Sequence, residues 1–143
     1  MIEAKRHTLW ATILATGLVA VWPTVFSVAQ ERKLSAAGIE DKLIGNTIQG
    51  LWQGRPYLQF FDGSGNTIYV EDGYGSSMGR WWVDAEEDTF CSSWQRGRSA
   101  CYEVLDGGPD AIVWVLLGSG KQFPATVLHG DQLSTVLQAD PVF

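Results

Sequence analysis

The stretch TFCSSWQRGRSACYEV, from Thr89 to Val104, holds the only two cysteines of the chain and constrains its fold more than any other feature. DTFCSSW and ACYEVL both read as short strands, and QRGRS between them carries Gly97, suited to a left-handed turn position. A three-residue loop, Gln95-Arg96-Gly97, fixes the register. Trp94 then faces Arg98, Ser92 faces Ala100, Cys91 faces Cys101, and Phe90 faces Tyr102. The cysteines fall opposite each other without adjustment, so a disulfide across neighbouring strands is expected. Side chains alternate along a strand, which puts Phe90, Ser92, Trp94, Ala100 and Tyr102 on one face. That aromatic face is the expected core face. The bridge shares the outer face with Thr89, Ser93 and Glu103, and Arg98 is placed to stack on Trp94 near the hairpin tip. The spacing is not Cys-x-x-Cys and no helix N-terminus is evident to lower a thiol pKa, which argues against redox catalysis. Two cysteines and one nearby histidine are too few for a metal site, and no metal or cofactor is expected.

A disulfide belongs to an oxidising compartment, and the N-terminus points the same way. MIEAKRH carries Lys5 and Arg6, and TLWATILATGLVAVWPTVFSVA is apolar and uncharged through Ala29. Small residues at Ser27 and Ala29 predict a signal peptide over 1–29, cleaved after Ala29, with Pro23 breaking its helix. The alternative is a retained anchor, since Thr8 to Ala29 is long enough to cross a bilayer with Lys5 and Arg6 held in the cytoplasm. Both readings put the remainder, 30–143, outside the cytoplasm as a single domain: periplasmic or secreted, or anchored in the inner membrane facing the periplasm. Removing 1–29 takes away Glu3, Lys5 and Arg6, so 15 acidic and 8 basic residues remain. A net charge of −7 repels phosphate and excludes nucleic acid and anionic lipid surfaces as natural partners.

The rest of the chain reads as one helix followed by strands. Ser35 is an N-cap for LSAAGIEDKLIG, with Ile39 and Leu43 one turn apart and Gly45 as the stop. IGNTIQGLW, RPYLQFF, TIYVED, MGRWWVDA, the cysteine hairpin, AIVWVLL and QFPATVLHG follow as strands separated by short turns. DGSGN is expected to be a hairpin turn and GYGSS a flexible loop. The tail DQLSTVLQADPVF reads equally as a last strand or a short helix. No fixed-period repeat and no βαβ pattern is present. About eight strands with hairpin connections predict an all-β, up-and-down antiparallel meander closed into a small barrel. A two-sheet sandwich is the alternative. In such a barrel, Phe60-Phe61 and Trp81-Trp82 must each point one ring outward.

The fragments LIGNTI, YLQFFDGSGNTIY, GRWWVD, FCSSW, CYEV and VLHGDQL, spanning Leu43 to Leu133, resemble a family of small exported alphaproteobacterial proteins of unknown function. The resemblance implies a lipocalin-like barrel and brings no catalytic residues. A looser likeness, of architecture only, is to periplasmic inhibitors of secreted metalloproteases. That likeness implies a free inhibitory segment, here QERKLSAAG.

Other motifs carry less. GSSMG, Gly75 to Gly79, matches Gly-x-Ser-x-Gly, but Ser77 precedes a strand where the hydrolase elbow needs a helix. DGSGN opens like a calcium loop, yet Thr67 and Gly73 stand where Gly and Glu are required. Asp84, Glu86, Glu87 and Asp88 form an acidic turn expected to face water. His129, the only histidine after Ala29, has no evident partner. The expected function is therefore a non-enzymatic binding or interaction module. Its contacts are assigned to Tyr74, Trp81, Trp82, Trp94 and Arg98, and its partner is a small apolar ligand or an envelope protein. An accessory subunit of an envelope membrane complex and a periplasmic protease inhibitor are the alternatives. A small hydrolase using carboxylates and His129 ranks below both.

Overall fold

A computed structural model describes residues 32–95 and 97–134. The expected signal peptide or anchor and most of the C-terminal tail lie outside the described residues. The chain begins with a two-residue strand, β1 (Arg32–Lys33), and a helix, α1 (Ala36–Leu43). Eight longer strands follow: β2 (Thr47–Trp52), β3 (Arg55–Phe61), β4 (Asn66–Glu71), β5 (Gly75–Asp84), β6 (Thr89–Trp94), β7 (Arg98–Asp106), β8 (Ala111–Leu116) and β9 (Gln122–Leu128). Each strand from β2 to β9 pairs antiparallel with its neighbours in the chain, and β2 also pairs with β9. The ring is closed, so the predicted barrel is observed and no long edge is left unpaired. β1 was not expected. It joins β7 beyond the end of β6, Arg32 opposite Asp106 and Lys33 opposite Leu105, and Leu34 N–H continues the ladder onto Val104.

The cysteine hairpin has the register derived from its loop. Phe90 faces Tyr102, Cys91 faces Cys101, Ser92 faces Ala100 and Trp94 faces Arg98. Gly97 has φ 72°, the left-handed value that the turn needs. The disulfide joins Cys91 and Cys101 at a Cα–Cα distance of 4.1 Å. The outer face is less polar than alternation suggests. Cys91 and Thr89 are both buried, and Trp82 lies directly opposite Cys91 on the same face.

The expected split of the paired rings also holds. Phe61 is fully buried while its neighbour Phe60 is half-buried, and Trp81 is buried while Trp82 stays exposed. The expected loop GYGSS departs from expectation in part, while Met78 and Gly79 are strand as expected. Gly75, Ser76 and Ser77 are strand, not loop, because they pair with Glu71, Val70 and Tyr69 of β4. Further along, a Cβ at Gly79 would come within 2.7 Å of the Trp94 ring and 2.8 Å of the Ser93 carbonyl. Glycine at this strand position is the seat of a neighbouring ring, which a strand tolerates where backbone and ring approach closely.

One barrel end is filled. Ile39 and Leu43 of α1 are fully buried and join Phe61, Trp81, Phe90 and Ile48 in one apolar cluster. Ser35 caps the helix as expected, its Oγ accepting from Gly38 N–H at 3.3 Å. A second cap comes from the acidic turn. Asp88 Oδ1 accepts from Ala36 N–H at 2.6 Å, so this carboxylate serves the helix N-terminus where water was expected. α1 has no acid in its own first turn, and Asp88 supplies the negative charge from 52 positions away. Asp88→Ala is expected to lower stability by about 1–2 kcal/mol in urea unfolding. Asp88 has φ 50°, so Asp88→Gly should cost less than Asp88→Ala, because glycine sheds the left-handed strain. Equal losses in the two variants would remove strain from the account.

DGSGN is a hairpin turn as predicted. Asp62 Oδ1 accepts from Ser64 N–H, Ser64 Oγ and Asn66 N–H, and Asp62 Oδ2 from Asn66 Nδ2. Desolvation opposes the charge, but these bonds from Asn66 and Ser64 outweigh it and bring the carboxyl from 3.8 to about 2.

Candidate functional site: an aromatic cup at the open barrel end

The end of the barrel opposite α1 is hollow. It lies between the turns at 53–54, 72–74, 95–97 and 117–121 and holds a cavity of about 880 Å³ that opens to solvent. Inward positions of each strand build it by alternation. Tyr57 and Gln59 come from β3, with Phe61 next in the series as part of the packed end. Tyr69 and Glu71 come from β4, Ser92 and Trp94 from β6, and Ala100 and Tyr102 from β7. Room exists because several inward positions are small. Gly50 leaves space for the Tyr57 ring, whose atoms lie 2.8–3.0 Å from where a Cβ would be, and Gly79 does the same for Trp94.

Eight aromatic rings stand in the walls. Trp52 and Phe123 meet at 4.9 Å between centroids. Tyr57 and Tyr69 stack at 5.2 Å, and Trp94 stands edge-on to Tyr69 at 5.8 Å. Phe90, Tyr102 and Trp114 close the base, with Phe90 and Trp114 4.8 Å apart. Such paired rings are stabilised by offset and edge-to-face geometry beyond the area they bury.

Several polar groups inside are held by defined partners. Glu71 is buried, and its Oε1 accepts from Arg55 Nε while Oε2 accepts from Tyr69 OH at 3.0 Å. Tyr74 covers Arg55 from the outside, its ring centroid 4.3 Å from the guanidinium carbon. Trp114 Nε1 donates to Tyr57 OH at 3.2 Å. Gln59 Nε2 donates to Thr67 Oγ1 at 3.0 Å, and Thr67 Oγ1 donates in turn to the Phe60 carbonyl.

Burial dominates the tyrosines. It pushes Tyr57 up to about 12, against the opposing effect of the Trp114 hydrogen bond, which favours the phenolate. Tyr69 is raised as well, first by burial and then by its bond to Glu71, and Tyr102 by burial. The folded pKa of Tyr57 lies above its unfolded value of 10.0, so the folded protein holds this proton longer. The associated stability is complete below pH 10 and is lost as pH rises towards 12. Phenolate absorbance followed through an alkaline titration is expected to show a late step near 12 that moves to about 10 in urea. A step near 10 in the folded protein would contradict the buried position of Tyr57.

The residues assigned to contacts from sequence divide into three groups. Trp94 and Arg98 line the cavity, Arg98 at its exposed rim. Trp81 is buried in the filled end, where its Nε1 donates to the Asp62 carbonyl at 3.1 Å. Tyr74 is exposed in the 72–74 turn at the mouth, its ring on Arg55, and Trp82 is exposed on the outer wall; neither lines the cavity. Arg98 lies opposite Trp94 in register, but the cation–π contacts among the described residues are Arg55 on Tyr74 and Lys121 on Phe123, so the expected stacking is not made. Sequence reasoning missed Tyr57, Gln59, Tyr69, Glu71 and Ser92. Their alternation within RPYLQFF, TIYVED and TFCSSW was the available signal.

Two further motifs can be placed. Ser77 is exposed at the mouth, on a strand. His129 has a carboxylate partner, Asp110 at 3.1 Å, but both side chains are exposed and neither lines the cavity. Comparison of the chain with protein-family models, with curated proteins and with solved structures finds no match in any of the three.

Proposed function

We propose that the protein is an exported, non-enzymatic binding module that takes a small, largely apolar ligand into the open barrel end. The observation that carries this reading is the cavity itself: about 880 Å³, closed at the base by packed rings and lined by eight aromatic side chains, with as many polar ones concentrated towards the mouth strands and turns. Concave pockets of this size, with aromatic walls and placed polar groups that fix orientation, are the usual form of a small-molecule site. The bridge between Cys91 and Cys101 supports an oxidising compartment, as export to the periplasm would supply. The family resemblance remains part of this proposal. The protease-inhibitor alternative has less support, because Arg32 and Lys33 are paired with β7 and Ala36–Gly38 form the first turn of α1, leaving this part of the segment tied down.

Ala100 lines the cavity directly opposite Ser92, so Ala100→Trp should fill the space a ligand needs. With N-phenyl-1-naphthylamine as the probe, the exported protein is expected to show saturable binding, and the variant to bind at least about tenfold more weakly. Absence of saturable binding, or equal binding by a folded Ala100→Trp protein, would remove the cavity from the account of function.

A further inference from the structure

We infer that the cup selects a flat, uncharged ring system with a hydrogen-bonding edge over an aliphatic chain. This rests on the binding reading above and deepens it.

The wall composition is the first argument. The apolar residues around the cavity are aromatic rings except for Met78 and Ala100, and no Leu, Ile or Val lines it. A cavity shaped for acyl chains needs conformable aliphatic walls. Rings already arranged in stacked and edge-on pairs offer flat faces and polarised edges, which a planar ligand meets by the same geometry.

Charge is the second argument. Among the described residues, Glu71 and Arg98 are the charged ones lining the space. The Glu71 carboxylate is neutralised by Arg55, and Arg98 sits exposed at the rim. Below the rim, the described residues therefore offer no unpaired charge to hold a ligand ion away from water.

Free hydrogen-bonding capacity is the third. Ser92 is only 4% exposed, lines the cavity, and its hydroxyl has no hydrogen-bond partner among the described residues. Gln59 is 8% exposed, and its Nε2 bond to Thr67 leaves Oε1 as a free acceptor. Tyr57 OH accepts from Trp114 Nε1 and donates to no described residue. No sealed side-chain N or O atom among the described residues lacks a partner, so the free atoms of Ser92 and Gln59 reach the cavity space. Leaving such groups empty-handed against an apolar ligand is costly, and a ligand edge carrying both a donor and an acceptor removes that cost.

Equilibrium dialysis of the exported protein with three probes tests this. Lumichrome is flat and uncharged with an imide edge, N-phenyl-1-naphthylamine has rings without that edge, and dodecanol is an aliphatic chain. Lumichrome is expected to bind at least about tenfold more tightly than dodecanol. Ser92→Ala is expected to weaken lumichrome about three- to tenfold and to leave N-phenyl-1-naphthylamine within about twofold. The second probe also reports that the variant cup is intact. Dodecanol binding as tightly as lumichrome overturns the inference while leaving the binding reading in place. So does a Ser92→Ala effect that is equal for both ring probes or absent from both. Failure of all three probes to bind overturns the binding reading and the inference with it.

Discussion

Phe61→Ala is expected to lower folding stability by about 3–5 kcal/mol, the range for removing a large ring from a packed interior. Phe61 is fully buried at the junction of the filled and hollow ends. It meets Trp81 edge-on at 5.5 Å and Phe90 edge-on at 5.7 Å, and lies 6.5 Å from Trp114. Those three rings are held from other sides, Trp81 by its bond to the Asp62 carbonyl and Trp114 by its bond to Tyr57. They cannot close over the space a missing ring leaves, so most of the cavity penalty should remain. A domain stable by only about 5–15 kcal/mol loses a large share of its margin. Urea unfolding should show a lower midpoint with an unchanged slope, because the unfolded chain is hardly altered. Phe60→Ala, one position along and facing outward, should cost no more than about 1 kcal/mol. A similar loss in the two variants would show that Phe61 is not the packed support beneath the cup's base.

The contrast between Phe60 and Phe61 also marks how far sequence reasoning reaches. Strand alternation requires one ring of each adjacent pair to face outward, and the structure agrees for both pairs. The hairpin register followed from one loop length and one glycine, and five observed pairs match it. The helix was legible through Ser35, Ile39, Leu43 and Gly45, four residues acting locally. What failed was non-local. The glycines and serines of GYGSS signal a loop by local propensity, yet Gly75, Ser76 and Ser77 are strand because β4 pairs with them. β1 is two residues long and exists only because β7 runs past the end of β6.

The candidate site was harder to see for the same reason. Alternation says which residues point inward, but not which end of the barrel stays hollow. That depends on α1 filling the other end, a contact between segments distant in the chain. Trp81 and Trp94 both point inward and differ only in which end they reach. Exposed rings such as Tyr74 and Trp82 suggest contact surfaces by residue type, but neither lines the cavity. Glu71 reads as a turn residue at a strand end. Its burial becomes affordable only once Arg55 from the adjacent strand pairs with it.

Removing the disulfide by Cys91→Ala with Cys101→Ala should cost about 2–3 kcal/mol, for a physical reason opposite to that of Phe61. The bridge closes a short loop, with a separation of 10 residues, and its main effect is to restrict the unfolded chain. The hairpin keeps its other cross-strand contacts, including Phe90 against Tyr102 at 6.3 Å, so the folded state should change little. Urea unfolding should therefore show a lower midpoint together with a steeper slope, since an unbridged chain exposes more surface when unfolded. Reduction of the wild-type bridge should reproduce both changes. Because the cysteines point to the outer face while Ser92 and Trp94 line the cup, binding of N-phenyl-1-naphthylamine by the folded double variant should stay within about twofold of wild type. A large loss of binding at full folding would mean that the bridge positions the cup wall directly. An unchanged midpoint would mean that packing alone already restrains the hairpin.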